Sequence, residues 1–73
     1  MELKVFSVYD KVSKQSVFIT MHHTIEEAQR EFKNVISQDA ISSKAPDLEL
    51  YCIGEFNTTT LELSGFDSLL IEV

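Results

Sequence analysis

One helical period constrains the fold of this chain more than any other feature of its sequence. From Thr24 to about Gln38, apolar residues recur at spacings of three and four, which places them on one stripe of an α-helix. The stripe consists of Ile25, Ala28, Phe32, Val35 and Ile36. Thr24 and Glu27 form a Thr-x-x-Glu capping box, which predicts where the helix begins. The rest of the chain must supply a surface that this stripe can cover.

The residues before the helix predict a β-hairpin. Leu3–Tyr9 and Ser16–Met21 are rich in β-branched and aromatic residues, as strands are. Both faces of the first strand are largely apolar. The polar segment from Asp10 to Gln15 predicts a longish turn between the two strands.

The residues after the helix predict two or three further strands. Residues 39–46 predict a loop, with one helical turn begun by Asp39. Leu48–Phe56 then alternates between apolar and polar residues until Gly54, where we expect a β-bulge or a close backbone approach that re-aims Phe56. A short fourth strand is expected at residues 60–63, and residues 69–73 predict a last strand or a tail.

The order of these elements predicts an α+β fold. We expect a single ββαββ domain over residues 1–73, with an antiparallel or mixed sheet and one helix packed across one face. The helix stripe covers only that face, yet the first and third strands carry apolar residues on both. The second face should therefore be covered by a second copy in a homodimer, by the C-terminal segment, or by unpaired bases stacked on Tyr9, Phe18 or Tyr51. A homodimer is the simplest of the three.

Charge is distributed unevenly along the chain. All six lysine and arginine residues lie in residues 1–45, where six acidic residues balance them. Residues 46–73 hold six acidic residues and no lysine or arginine, so the whole net charge of −6 lies there. Any nucleic-acid contact should use the first half, and a net acidic protein gains little phosphate-driven affinity. An acidic surface that keeps a small protein soluble is the simpler interpretation.

The sequence contains no pattern typical of a catalytic or metal site. His22 and His23 are adjacent in an extended segment, so their side chains point to opposite sides. Cys52 lies within a strand among apolar residues, which favours a buried structural cysteine, and a lone cysteine agrees with a reducing compartment. The carboxylates are scattered and the glycines isolated. We expect no enzyme, cofactor, metal or membrane span, and a cytoplasmic protein.

Several segments of the chain resemble one known family. They are Leu3–Asp10 (Leu-Lys-Val-Phe-Ser-Val-Tyr-Asp), Ala28–Phe32 (Ala-Gln-Arg-Glu-Phe), Pro46–Asp47 and Leu50–Asn57 (Leu-Tyr-Cys-Ile-Gly-Glu-Phe-Asn). Together they resemble the small nonstructural proteins of the microviruses, icosahedral phages with single-stranded DNA genomes, including those of the gokushovirus type. The resemblance covers about residues 3–60, and the C-terminus does not match. The motifs are structural and do not form a chemical signature.

The resemblance implies a non-catalytic, DNA-binding nonstructural protein that assists single-stranded genome synthesis in the host cytoplasm. Exposed aromatic rings would stack on unpaired bases, and basic side chains at the first hairpin tip and on the outer side of the helix would contact phosphates. The residues expected to make these contacts are Tyr9, Tyr51, Lys11, Lys14, Arg30 and Lys33. A solvated turn and an ordinary polar helix face are the simpler interpretations of the basic residues.

A different class of function is also consistent with the sequence. The acidic second half predicts an alternative in which the protein is a protein-binding module, or a mimic of the charge of DNA, that acts on a basic host or phage protein. The residues expected to carry this contact are Asp47, Glu49, Glu55 and Glu62.

Overall fold

In the part of the chain that the structure describes, four antiparallel strands form one sheet, and an α-helix lies between the second and third of them along the sequence. The computed structural model describes residues 1–38 and 45–72. The elements are β1 (Glu2–Asp10), β2 (Gln15–His22), α1 (Ile25–Ile36), a 3₁₀ turn (Ala45–Asp47), β3 (Leu48–Asn57) and β4 (Leu63–Ile71). The strand order in the sheet is β2-β1-β3-β4, and every pairing is antiparallel. The predicted α+β fold of ββαββ order is therefore confirmed.

The capping box begins the helix where its sequence predicts. The Glu27 backbone N–H donates to Thr24 Oγ1 at 3.2 Å, and the Thr24 backbone N–H donates to Glu27 Oε1 at 3.1 Å. These two bonds satisfy backbone donors that have no partner within the first turn. α1 ends at Ile36, with Ser37 as the C-cap, slightly before the predicted end at about Gln38.

The core lies between α1 and one face of the sheet, which we call the helix face. Its buried cluster consists of Phe6, Val8, Ala28, Phe32, Leu50, Cys52 and Ile71. The largest fully buried side chains are Phe6, Val8 and Leu50, from the two central strands. The sequence predicted that Cys52 is buried, and its side chain is buried in this cluster.

β3 contains a bulge, as the glycine in its sequence predicted. The register of β3 shifts between its pairs with Val5 and Phe6 of β1, so that Ile53 is an extra residue. Side chains alternate between the two faces of a strand, and one extra residue reverses that alternation. Phe56 consequently pairs with Leu3 on the face away from the helix.

Gly54 also provides the close backbone approach that was expected. It pairs with Gly65 of β4. A Cβ added at Gly54 would clash with the backbone carbonyl oxygen of Ser64 and lie 3.3 Å from the Gly65 Cα. A Cβ added at Gly65 would meet only the Ile53 carbonyl oxygen, at 3.9 Å. Glycine is therefore required at the first position of this pair and not at the second.

The prediction for the fourth strand was wrong in its bounds. β4 is one strand, Leu63–Ile71, and not a short strand at residues 60–63 followed by a separate segment at 69–73. The Asn57 side chain accepts from the Thr59 and Thr60 backbone N–H groups at 2.9 and 3.1 Å, and Leu61 has a φ of 66°. These features hold residues 58–62 in a turn. Residues 39–44, including the expected turn at Asp39, lie outside the described residues.

The second face of the sheet is apolar and is not covered by any part of the chain that the structure describes. We call it the open face. Its apolar and aromatic residues are Leu3, Val5, Tyr9, Ile19, Met21, Tyr51, Ile53, Phe56 and Leu63. Ile19, Met21 and Leu63 are 58%, 47% and 67% exposed. The C-terminal segment was one expected cover, but up to Ile71 it runs as β4 along the edge of the sheet.

We predict that Gly54→Ala destabilises the protein by about 1–3 kcal/mol, because the new methyl group displaces the β4 backbone, as overpacking does elsewhere. The measurement is urea-induced unfolding. Gly65→Ala is the matched control, since it adds the same methyl group at the other member of the pair, where there is room. An equal loss of stability in both variants would contradict the close approach.

Candidate functional site

The turn between β1 and β2 presents two lysines to solvent. Asp10 begins this turn, and its Oδ1 accepts from the Val12 backbone N–H at 2.9 Å. The Lys14 backbone N–H donates to the Asp10 carbonyl oxygen at 2.8 Å, and Lys14 has a φ of 60°. The Lys11 backbone N–H donates to the Asp47 carbonyl oxygen at 2.9 Å, which attaches the turn to the 3₁₀ turn before β3. Both lysine side chains are exposed on this anchored backbone.

Two tyrosines lie next to this turn on the open face. The rings of Tyr9 and Tyr51 meet edge to face, with centroids 5.9 Å apart and an angle of 88° between the rings. They line a shallow hollow of about 330 Å³ together with Ser7, Ile53 and Ser68. Tyr9 immediately precedes the residue that begins the lysine turn. We call the tyrosine pair and the two lysines the hairpin site.

A carboxylate belongs to the same site. The Tyr51 hydroxyl donates to Glu49 Oε1 at 3.1 Å, and Glu49 pairs with Tyr9 across the two central strands. Partial burial, and then the hydrogen bond and charge of Glu49, raise the pKa of Tyr51 above its ordinary value of 10.0. Sequence reasoning assigned Glu49 only to the acidic alternative. The sequence signal for this contact is the spacing of two residues between Glu49 and Tyr51, since residues two apart lie on the same face of a strand.

The structure does not bring all of the predicted basic residues together. Arg30 and Lys33 are exposed on α1, which packs on the helix face of the sheet. Tyr9 and Tyr51 line the hollow on the opposite face. The predicted nucleic-acid set is therefore divided between the two sides of the sheet.

The predicted acidic set is also divided. Asp47 and Glu49 lie at the hairpin end of β3, whereas Glu55 is six residues further along that strand, a distance of about 20 Å at the rise of a β-strand. Glu55 lines a small hollow with Glu62 and with Glu2, which sequence reasoning did not select. A hydrogen bond with Glu55 and the charge of that carboxylate raise the pKa of Glu2. Only the pairing of β1 with β3 brings these acidic residues together.

The two histidines have separate surroundings. The His22 ring packs against Phe6, with centroids 6.0 Å apart, while the His23 backbone N–H donates to Glu27 Oε1 at 3.0 Å. Within residues 1–38 and 45–72, no three His, Cys, Asp or Glu residues are grouped so that they could hold a metal ion. Over the same ranges, no helix is long and apolar enough to cross a membrane.

The fold and this site define a small α+β domain with an uncovered sheet face and an exposed lysine turn at one end of it. The chain belongs to the Phage ORF5 protein family, which matches residues 3–72. No curated protein and no solved structure matches the chain. A phage protein family was expected and is confirmed, and the match extends through the C-terminal strand, beyond the expected limit near residue 60. The narrower microvirus assignment and DNA binding stay predictions.

We predict that Tyr51 titrates above its ordinary pKa of 10.0 and that Glu49→Gln lowers this pKa, because the variant removes a charge that opposes the phenolate. The measurement is a spectrophotometric titration of tyrosinate, with Tyr51→Phe identifying the signal. The folded state holds this proton more tightly than the unfolded chain does, so stability should fall as pH rises above the ordinary value. An unchanged Tyr51 titration in Glu49→Gln would contradict the contact.

Proposed function

We propose that this phage protein is a non-catalytic accessory factor that binds single-stranded DNA at the hairpin site during genome synthesis in the host cytoplasm, and that it acts as a homodimer. The observation that supports DNA binding is the position of the Tyr9–Tyr51 pair beside the exposed lysines of one anchored turn. Membership of a phage protein family agrees with this role. The uncovered apolar area of the open face supports the homodimer.

Each part of the hairpin site suits a different part of a single strand. Tyrosine rings stack on unpaired bases, which contributes about 1–3 kcal/mol per base. Lys11 and Lys14 are suited to phosphate oxygens, since their ammonium groups extend from the turn into solvent. The Glu49 carboxylate repels phosphate and accepts hydrogen bonds from the amino groups of bases. This arrangement would direct bases towards the tyrosines and the backbone towards the lysines, which a paired duplex does not permit.

We predict that Lys11→Gln with Lys14→Gln weakens binding to a single-stranded oligonucleotide and lowers the slope of log affinity against log salt by about 1.4 for each copy of the chain that contacts the strand, at about 0.7 per lost phosphate contact. The measurement is fluorescence anisotropy of a labelled strand at several salt concentrations. Arg30→Gln with Lys33→Gln is the matched control, because it removes the same charge from the opposite side of the sheet. Equal effects of the two double variants would overturn the assignment to the hairpin site.

Substitution of the tyrosines separates stacking from charge. Tyr51→Leu should weaken binding by roughly 5-fold or more without changing the salt slope, because it removes a stacking surface and leaves both lysines in place. If the unmodified protein shows no binding even at low salt, the DNA proposal fails. The acidic alternative then becomes the hypothesis to test, by replacing Asp47, Glu49, Glu55 and Glu62 with their amides and measuring the binding of a basic protein.

A further inference from the structure

The part of the open face away from the lysine turn forms an apolar groove of about 400 Å³. We call it the apolar groove, and its lining residues are Val5, Ile19, Met21, Ile53, Gly54, Leu63, Ser64 and Gly65. None of these residues is charged. The protein as a whole has a net charge of −6, and two such molecules repel each other. In the apolar groove, a second acidic molecule would meet no carboxylate.

One row of paired residues across the four strands gives the groove a shape that is complementary to that of a second, reversed copy. Met21 of β2 pairs with Val5 of β1, Val5 pairs with Gly54 of β3, and Gly54 pairs with Gly65 of β4. The row therefore carries a long, 47% exposed side chain at one edge of the sheet and no side chain at all in its other half. Facing surfaces pack well when large residues of one meet small residues of the other.

We propose that the occupant of the apolar groove is a second copy of this chain, packed face to face about a two-fold axis parallel to the strands. Such an axis exchanges the two edges of the row. Met21 of the second copy then lies over Gly65, and Val5 of the second copy, which is only 4% exposed, faces Gly54. The same contacts form twice, as an isologous interface requires. The glycine pair thus has a role in association as well as in the approach of β3 to β4.

The available area fits a reversible dimer. The molecule measures 40 × 22 × 19 Å, so its broad face covers about 880 Å² in projection. Contact over the half of this face that lies away from the lysine turn would bury about 440 Å² per copy and leave the tyrosine pair uncovered, which is the size of a weak, reversible interface and below the roughly 800 Å² per partner of a standard one. Because the sheets of both copies twist, their faces should contact along the middle and separate towards the ends.

The proposed two-fold axis also determines how the hairpin sites of the two copies lie relative to each other. This part of the inference rests on the proposed function. A two-fold axis parallel to the strands keeps the two lysine turns at the same end of the dimer. One strand of DNA could then contact Lys11 and Lys14 from both copies. The second copy brings its own net charge of −6, so the gain comes from the local contacts of the added lysines and not from a lower net charge.

Sedimentation velocity over a range of concentrations tests the interface. The unmodified protein should show a concentration-dependent dimer, and Met21→Glu should raise the dimer dissociation constant by more than about tenfold, because it places a charge in an apolar contact. Val12→Glu is the matched control, since Val12 is 72% exposed in the lysine turn and outside the groove. A monomer at all concentrations, or a dimer that Met21→Glu leaves intact, would overturn the proposal.

An exchange of side-chain size tests the pairing of Met21 with Gly65. Gly65→Leu should weaken the dimer by filling the space that Met21 enters, and the monomer should still fold because a Cβ there lies 3.9 Å from its nearest contact. Combining it with Met21→Ala should restore association. A double variant no tighter than Gly65→Leu alone would overturn the two-fold axis. Thermal unfolding, followed by circular dichroism, verifies that each variant is folded.

DNA titrations separate the two proposals. Met21→Glu should bind a single strand with about half the salt slope of the unmodified protein, since the monomer presents two lysines at the hairpin site and the dimer four. A monomeric unmodified protein that binds DNA through Lys11 and Lys14 would overturn the dimer and support DNA binding at the hairpin site. A dimer that fails to bind DNA would overturn DNA binding and leave the interface supported.

Discussion

The packing of one helix on one face of the sheet is the contact on which the rest of this structure depends. The stripe of α1 buries Phe6, Val8 and Leu50 on the helix face of the sheet and covers nothing on the other face. A second layer is lacking on the other side in the part of the chain that the structure describes, although Ile19 and Leu63 there are as apolar as the core residues. The apolar surface left by this one-sided packing is the surface available for binding.

A single extra residue in β3 increases that surface. Without the bulge at Ile53, the alternation of β3 would direct Phe56 towards the helix, and with it Phe56 pairs with Leu3 on the open face. The adjacent Gly54 then approaches the β4 backbone so closely that no side chain fits between them. The same local irregularity therefore enlarges the apolar face and leaves the side-chain gap in its groove.

The direction of the strands places different groups of charged residues at the two ends of the sheet. Lys11 and Lys14 lie at one end, in the turn after β1, and the carboxylates of Glu2, Glu55 and Glu62 gather at the other. The sequence places basic residues in its first half and the net acidic charge in its second. Antiparallel pairing mixes the two halves within one sheet, so that Glu49 pairs with Tyr9 at the lysine end and Lys4 pairs with Glu55 towards the other end. The exposed lysines beside the two tyrosines therefore have acidic residues of the second half as neighbours.

The amino-acid sequence by itself determined the elements whose signals are local. The capping box and apolar period predicted α1, β-branched residues predicted β1 and β2, and Gly54 predicted the irregularity of β3. Only the tertiary structure decided the extent of β4. The sequence of this segment alternates weakly and contains Gly65, so it gives no clear strand signal, and the strand is defined by its pairing with β3. The tertiary structure also decided which candidate residues meet: Tyr9 lies with Tyr51 and Glu49, but Arg30 lies across the sheet. Contacts between strands depend on the register of the strands and on the face of the sheet that the helix occupies. The spacing of residues along the chain determines neither.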